Sequence, residues 1–316
     1  MHVAIVGKGA LGRVYGVRIA NRGGASVTFV VRPPGAPSSE PVRITRIDGD
    51  GAREAITAPS LDVRIPDHAD VVLVAVRVEQ LDDRLDALLD GSKEVPVVVL
   101  TPMLPKDLDR LTQRHGPRLR AGMPGVVAYM KSDGRPSAQC RYWLPKVAPT
   151  LLDAAPPVPP AVTELVQALV AAGFGGHLEL GVHESNPATT LSFIPLAMGV
   201  DAAGGVDPLL ADRLLLRTAL DAVQEGLVLA RRVGKTPAWL DLITRFAGPT
   251  TLKLGIGFVR SRSPETLTYI DEHFGRKLHA QNLVMAREIV ELAREKGTSA
   301  TALGDLLGRL EKGAPG

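Results

Sequence analysis

Apolar and polar residues follow two rhythms along this chain. His2–Val6 (HVAIV) is a continuous β-branched run and reads as a short buried strand. Residues 10–22 then place Leu11, Val14, Tyr15, Arg18 and Ile19 three and four apart, the period of a helix face. Further β-rich runs lie at Val27–Val31, Asp70–Val76 and Val95–Leu100, with helical patterns at Gln80–Leu89 and Lys106–Gln113. Buried runs alternating with helices predict a parallel sheet covered on both faces. Residues 121–129 read as a further strand and loop, and Cys140–Leu144 as a strand near the sheet edge.

The pattern then changes. Pro145, Pro149, Pro156, Pro157, Pro159 and Pro160 interrupt regular structure. A helix over 161–172 and a last strand over Phe174–Leu180 are expected to follow. From His183 onward the period is helical almost throughout, with long amphipathic stretches at Ala211–Val233 and Leu267–Lys296. The expected architecture is α/β over residues 1–182, with a doubly wound parallel sheet, joined to an all-helical domain over 183–316. No repeat of fixed period is present in the sequence.

Composition narrows the classes of function. Of 316 residues, 45% are hydrophobic and 22% charged, enough to bury a sizeable core. The net charge of +3 comes without a basic block, so no nucleic-acid partner is expected. A lone cysteine, Cys140, excludes an intramolecular disulfide and a metal site built on cysteine clusters, and no metal is expected. The N-terminus lacks the features of a signal peptide, and no apolar run reaches the roughly 18 residues of a membrane span. A cytoplasmic protein with no membrane partner is the expectation.

The strongest chemical signal is Gly7-Lys8-Gly9-Ala10-Leu11-Gly12, a GxGxxG run between a strand and a helix. In that context the first glycine permits the tight turn. The second lets the backbone approach a pyrophosphate, and the third lets helix and strand pack closely. The N–H groups at the helix start then face the anion. This is the fingerprint of a Rossmann-type dinucleotide site. The second strand usually ends in a carboxylate when the cofactor is NAD. Here it ends Val30-Val31-Arg32, and Arg32 is suited to a charge-assisted fork on a 2′-phosphate. The expected cofactor is NADPH. Arg77 and Gln80, after the Asp70–Val76 run, and Pro102, within Thr101-Pro102-Met103 after the next, fall at the strand ends where such ligands lie.

At this point the chain resembles the ketopantoate reductase (2-dehydropantoate 2-reductase) family, as a divergent member. The resemblance rests on IVGKGALGRVYGVRIA, the arginine after the second strand, DVVLVAVRVEQL, SNPATTLSFIPLAMGVDAAGG, RTALDAVQEGLVLARRVG with Glu225 and Gly234, and ETLTYIDEHFGRKLHAQNLVMAREIVELAREKG. It implies a Rossmann domain followed by a helical one, with the active site in the cleft between. It also implies hydride transfer from NADPH to the ketone of a 2-oxo acid and, by likeness alone, a homodimer. The family's lysine protonates the developing alkoxide, aided by asparagines, and a glutamate holds the substrate. The position of Arg77 is often a lysine that helps bind NADPH.

The catalytic positions depart from that pattern. Aligned on Ile194-Pro195-Leu196, Asn186 stands where the lysine belongs and Thr190 where an asparagine belongs. Pro102-Met103 replaces the asparagine-glycine loop. Aligned on His273-Phe274, Thr268 stands near the expected glutamate, with Glu265 one turn away. Reduction of a carbonyl needs a proton donor within reach. His183, Asn186 and Thr190 share one helix face, as do His273 and Lys277. The candidate catalytic set is therefore His183, Asn186, Thr190 and His273, with the histidines able to donate near neutral pH. Tyr129 with Lys131, and Tyr142 with Lys146, are weaker candidates. Three readings follow: a reductase of a small carbonyl substrate, an imine- or opine-type oxidoreductase on the same architecture, or an NADPH-binding sensor without turnover.

Overall fold

The computed structural model describes residues 1–31, 40–48, 51–131, 139–145, 149–236, 240, 248–262, 267–268, 270–271 and 279–313. The chain divides into two compact units, Met1–Asn186 and Pro187–Gly316.

In the first unit, β1 (His2–Val6), α1 (Ala10–Arg22) and β2 (Ser26–Val30) form where the apolar rhythm places them. There follow β3 (Val42–Arg46), β4 (Arg53–Ile56), β5 (Ser60–Asp62), β6 (Val71–Val74), α2 (Asp83–Asp90), β7 (Val97–Val99) and α3 (Pro105–His115). The unit continues through β8 (Leu119–Met123), β9 (Val127–Lys131), β10 (Gln139–Trp143), β11 (Leu151–Asp153), α4 (Pro160–Ala171) and β12 (His177–Glu179). The main sheet has the order β12-β11-β8-β7-β6-β1-β2-β5. From β8 to β5 its strands are parallel, and β11 joins β8 in the antiparallel sense. β6 and β7 are buried along their whole length, as expected of strands covered on both faces.

Two features differ from the sequence reading. A 3-10 turn, Val78–Gln80, precedes α2, because Asp82 leaves the helical track and caps α2 by accepting from the Leu85 N–H at 2.9 Å. The second difference is a separate four-stranded sheet, β4-β3-β10-β9. β10 therefore sits inside that sheet, between β3 and β9, and not at an edge of the main one. Its inward residues, with those of β3, include Val42, Ile44, Cys140 and Tyr142, which join the same core as Val14, Val17 and Phe29.

Arg18 holds α1 between these layers. Its side chain is 4% exposed. The guanidinium donates to Ala172 O at 2.7 Å, the Tyr142 hydroxyl at 2.8 Å and Glu54 Oε1 at 2.9 Å, and lies over the rings of Tyr142 and Phe174. A buried guanidinium is stable only when its charge and its donors are both matched. This network matches them with β4, β10 and the end of α4.

α5 (Val182–Ala203) begins in the first unit and continues into the second. The second unit adds α6 (Val206–Ala211), α7 (Arg213–Val233), α8 (Pro249–Arg262), α9 (His279–Glu295) and α10 (Thr301–Glu311). The expected amphipathic stretch 211–233 forms α7 from Arg213 onward, with Asp212 capping it by accepting from the N–H groups of Leu214 and Leu215. Pro195 inside α5 has no N–H to offer the Leu191 carbonyl, one turn earlier. Gly226 of α7 lies over that carbonyl so closely that a Cβ there would stand 2.0 Å from its oxygen. Glu225 reaches from α7 to the start of α10, accepting from the Ser299 hydroxyl at 2.8 Å and the N–H groups of Thr301 and Leu303 at 2.9 and 3.0 Å.

Candidate cofactor site

Parallel pairing brings the C-terminal ends of β2, β1, β6 and β7 to one edge of the sheet. The segments leaving that edge carry Gly7–Gly12, Val31, Arg77–Gln80 and Thr101–Leu104. The chain leaves β1 toward β2 on one side, while β6 lies on the other, so this edge is a topological switch point.

The three glycines act as the motif requires. Gly7 has φ +107°, and a Cβ there would lie 2.6 Å from Ala75 O. At Gly12 a Cβ would lie 1.9 Å from Gly7 O, so only glycine lets α1 start this close to the turn. Gly9 is exposed, and a Cβ there would meet nothing within 4 Å. That is the open approach a pyrophosphate needs. α1 starts with no side-chain cap and no acidic residue in its first turn, which leaves its N–H groups and partial positive charge for an anion. Lys8 flanks the opening. Burial and the nearby Arg13 cation hold its ammonium below the usual lysine range, with Glu40 opposing them. The turn of Gly7, Lys8, Gly9, Ala10, Leu11 and Gly12 thus has the open approach and uncapped helix start that a dinucleotide would need.

At the neighbouring strand ends, Arg77 is exposed, donates its N–H to Gln80 Oε1 at 3.2 Å and pairs with Glu79 at 3.4 Å. Gln80 and Pro102 are exposed, and the Thr101 hydroxyl donates to Val76 O at 2.7 Å, joining the two segments. Arg32 lies outside the described residues, as do Lys146, Glu265, His273 and Lys277. The cofactor preference therefore rests on sequence.

α5 carries His183, Asn186 and Thr190 on one element. His183 is half-buried in its first turn. Asn186 is 1% exposed, and both ends of its carboxamide are engaged: Oδ1 accepts from the Met103 N–H at 2.9 Å and Nδ2 donates to Gly122 O at 3.1 Å. It ties the segment after β7 to β8. Thr190, 3% exposed, has a buried hydroxyl with no hydrogen-bond partner among the described residues. Tyr142 is fully buried and bound to Arg18, which makes it part of the core and not of a reaction surface. Tyr129 is buried in β9, and Thr268 is exposed.

Sequence reasoning missed Arg13. Its signal was legible, because a cation in the first turn of a helix opposes the helix dipole. It also missed the buried group in the second unit, where Asp201 accepts from Asn282 Nδ2 at 2.9 Å and meets His279 Nδ1 at 3.1 Å. No spacing rule joins residues about 80 positions apart.

Residues 3–102 match the family model described as ketopantoate reductase PanE/ApbA. Over its whole length the chain shares its fold with solved structures described as ketopantoate reductases. A 2-dehydropantoate 2-reductase structure from Geobacter metallireducens GS-15 superposes with a TM-score of 0.71 at 18% identity, covering 99% of each chain. A D-mandelate dehydrogenase, solved with NADH and anilino(oxo)acetate, gives 0.69 at 14% identity over 99% of this chain and 98% of that one. A dimeric ketopantoate reductase from Staphylococcus aureus gives 0.64 at 12% identity, again over 99% and 98%. No curated protein matches the sequence significantly. Among the described residues, no helix is long and apolar enough to cross a membrane.

Proposed function

We propose that this protein is an NADPH-dependent reductase of the ketopantoate reductase type, acting on the C=O group of a small, 2-oxo acid-like substrate. The observation that carries the reading is the open glycine turn at the start of an uncapped α1, set at the switch point of the sheet. In this reading the 7–12 turn binds the pyrophosphate. Arg32 takes the 2′-phosphate, and Arg77, Gln80 and Pro102 border the cofactor. NADPH supplies the hydride when bound. The D-mandelate dehydrogenase of similar fold was solved with NADH, so the choice of NADPH here rests on Arg32 and not on the fold.

Proton delivery differs from the family pattern. Asn186 spends its carboxamide on Met103 and Gly122, so its part is to hold the segment after β7 in place. Thr190, with a hydroxyl free to donate, and the histidines His183 and His273 remain the candidates for contact with substrate. The engaged Asn186 also favours a second reading, an imine- or opine-type oxidoreductase, because an iminium already carries its proton. A cytoplasmic homodimer belongs to the first reading. The dimeric Staphylococcus aureus structure supports it, as do Leu254 and Phe258, which stand 71% and 62% exposed on α8.

Fluorescence titration with NADPH and NADH, repeated on Arg32→Ala, tests the core of this. NADPH is expected to bind at least about tenfold tighter, and Arg32→Ala to remove about 1.4 kcal/mol or more of the preference. Binding of neither nucleotide defeats the reading. With binding established, oxidation of NADPH by 2-oxo acids or by imines separates the two substrate classes.

A further inference from the structure

We propose that Arg13 is a ligand of the cofactor pyrophosphate, acting beside Lys8 to make the glycine turn a two-cation anion site. The inference rests on the dinucleotide reading of that turn and adds to it a residue outside the GxGxxG pattern.

Arg13 lies in the first turn of α1. Its Nε donates to Lys8 O at 3.1 Å, the side chain's one hydrogen bond among the described residues. The bond fixes the guanidinium against the turn itself and leaves both Nη groups available. A helical side chain leans toward its own N-terminus, which here brings Arg13 back toward the anion end of α1. A cation in this place costs stability, since the helix N-terminus is already the positive end of the dipole. Lys8 beside it compounds that cost: burial first, and then the Arg13 charge, lower its affinity for a proton, with Glu40 opposing them. The first turn of α1 itself holds no acidic residue. Local arrangements that oppose stability mark functional sites, and a bound diphosphate reverses each unfavourable term at once. The pyrophosphate, and not the 2′-phosphate, is the matching group, because the guanidinium is tied to the turn and not to the end of β2.

The test uses the full-length protein and three variants, Arg13→Met, Arg13→Lys and Arg32→Ala. Each is titrated with NADPH, NADH and ADP-ribose, which carries the pyrophosphate without nicotinamide or 2′-phosphate. Thermal melts without nucleotide check that each variant is folded. Arg13→Met is expected to weaken all three ligands by about tenfold or more, the size of a lost charge-assisted contact. Arg13→Lys, which keeps the charge, should recover part of that loss. Arg32→Ala should weaken NADPH alone. The inference is overturned if folded Arg13→Met binds all three within twofold of the parent, or if it loses affinity for NADPH only. If the parent binds no nucleotide, the cofactor reading itself fails and carries this inference with it.

Discussion

Substituting Gly226 by alanine sets two effects against each other. An alanine inside a helix is normally better than glycine by about 1 kcal/mol. At Gly226, however, the new Cβ would stand 2.0 Å from Leu191 O, where an ordinary contact begins at 3.4 Å. The shortfall of about 1.4 Å is against backbone, so no rotamer change relieves it, and α7 must move away from α5 in a closely packed interior. Overpacking of this kind costs about 1–3 kcal/mol, and a backbone obstacle belongs at the upper end. Gly226→Ala is therefore expected to destabilise by about 2 kcal/mol net, lowering the melting temperature by several degrees. Gly304→Ala in α10 is the control, since its Cβ would meet nothing within 4 Å and only the helix-propensity gain applies. Differential scanning calorimetry of both variants decides the matter. If Gly226→Ala melts at or above the parent, as Gly304→Ala should, the close approach of the two helices has been misjudged.

Asn186→Leu keeps the side-chain size but strands the Met103 N–H and the Gly122 carbonyl, each buried. At about 1–3 kcal/mol for each unsatisfied group, urea denaturation should show a loss of at least about 2 kcal/mol; an unchanged midpoint would mean the strap is not formed. Cys140 is 1% exposed, and burial pushes its thiol up to about 12, so an aromatic disulfide reagent at pH 8 should label it slowly in the native state and at once after denaturation. Burial, followed by the charge of His68, holds the His2 imidazole below its ordinary value of 6.5, against the pull of Asp70. The unfolded chain then takes up that proton more readily. The contribution is full above about pH 6.5 and shrinks as pH falls through that value toward the lower folded one, so His2→Gln should flatten the fall in stability between pH 7 and 5.

What the sequence displayed best was anything with a long, uniform period. His2–Val6 and Ala10–Arg22 were readable to the residue, because a buried strand and an amphipathic helix each leave an unbroken mark. β3, β4 and β5 left none, being short strands that mix charged or hydroxyl side chains with apolar ones and have no long buried run. β10 showed itself as a strand, but which sheet it joins depends on pairing with β3, nearly a hundred positions earlier. The glycine turn was legible because its chemistry is local. Asn186 was legible as a position of interest, while its task was not: whether a carboxamide faces substrate or backbone depends on where Met103 and Gly122 fall in space.

The Glu225 cap carries a consequence for the order in which the protein assembles. α10 has no side-chain cap of its own at Ala300 and no acid in its first turn. The carboxylate that satisfies its first N–H groups comes from a helix 76 residues earlier in the chain. As an isolated peptide, α10 should fray from its N-terminal end, since a helix of that length is marginal in water without help. Its first turn becomes secure only after α7 has formed and docked. The C-terminal helix is thus a late folder, and structure at Thr301–Leu303 should be absent from the folding transition state, with hydrogen exchange there reporting that α7 is already in place.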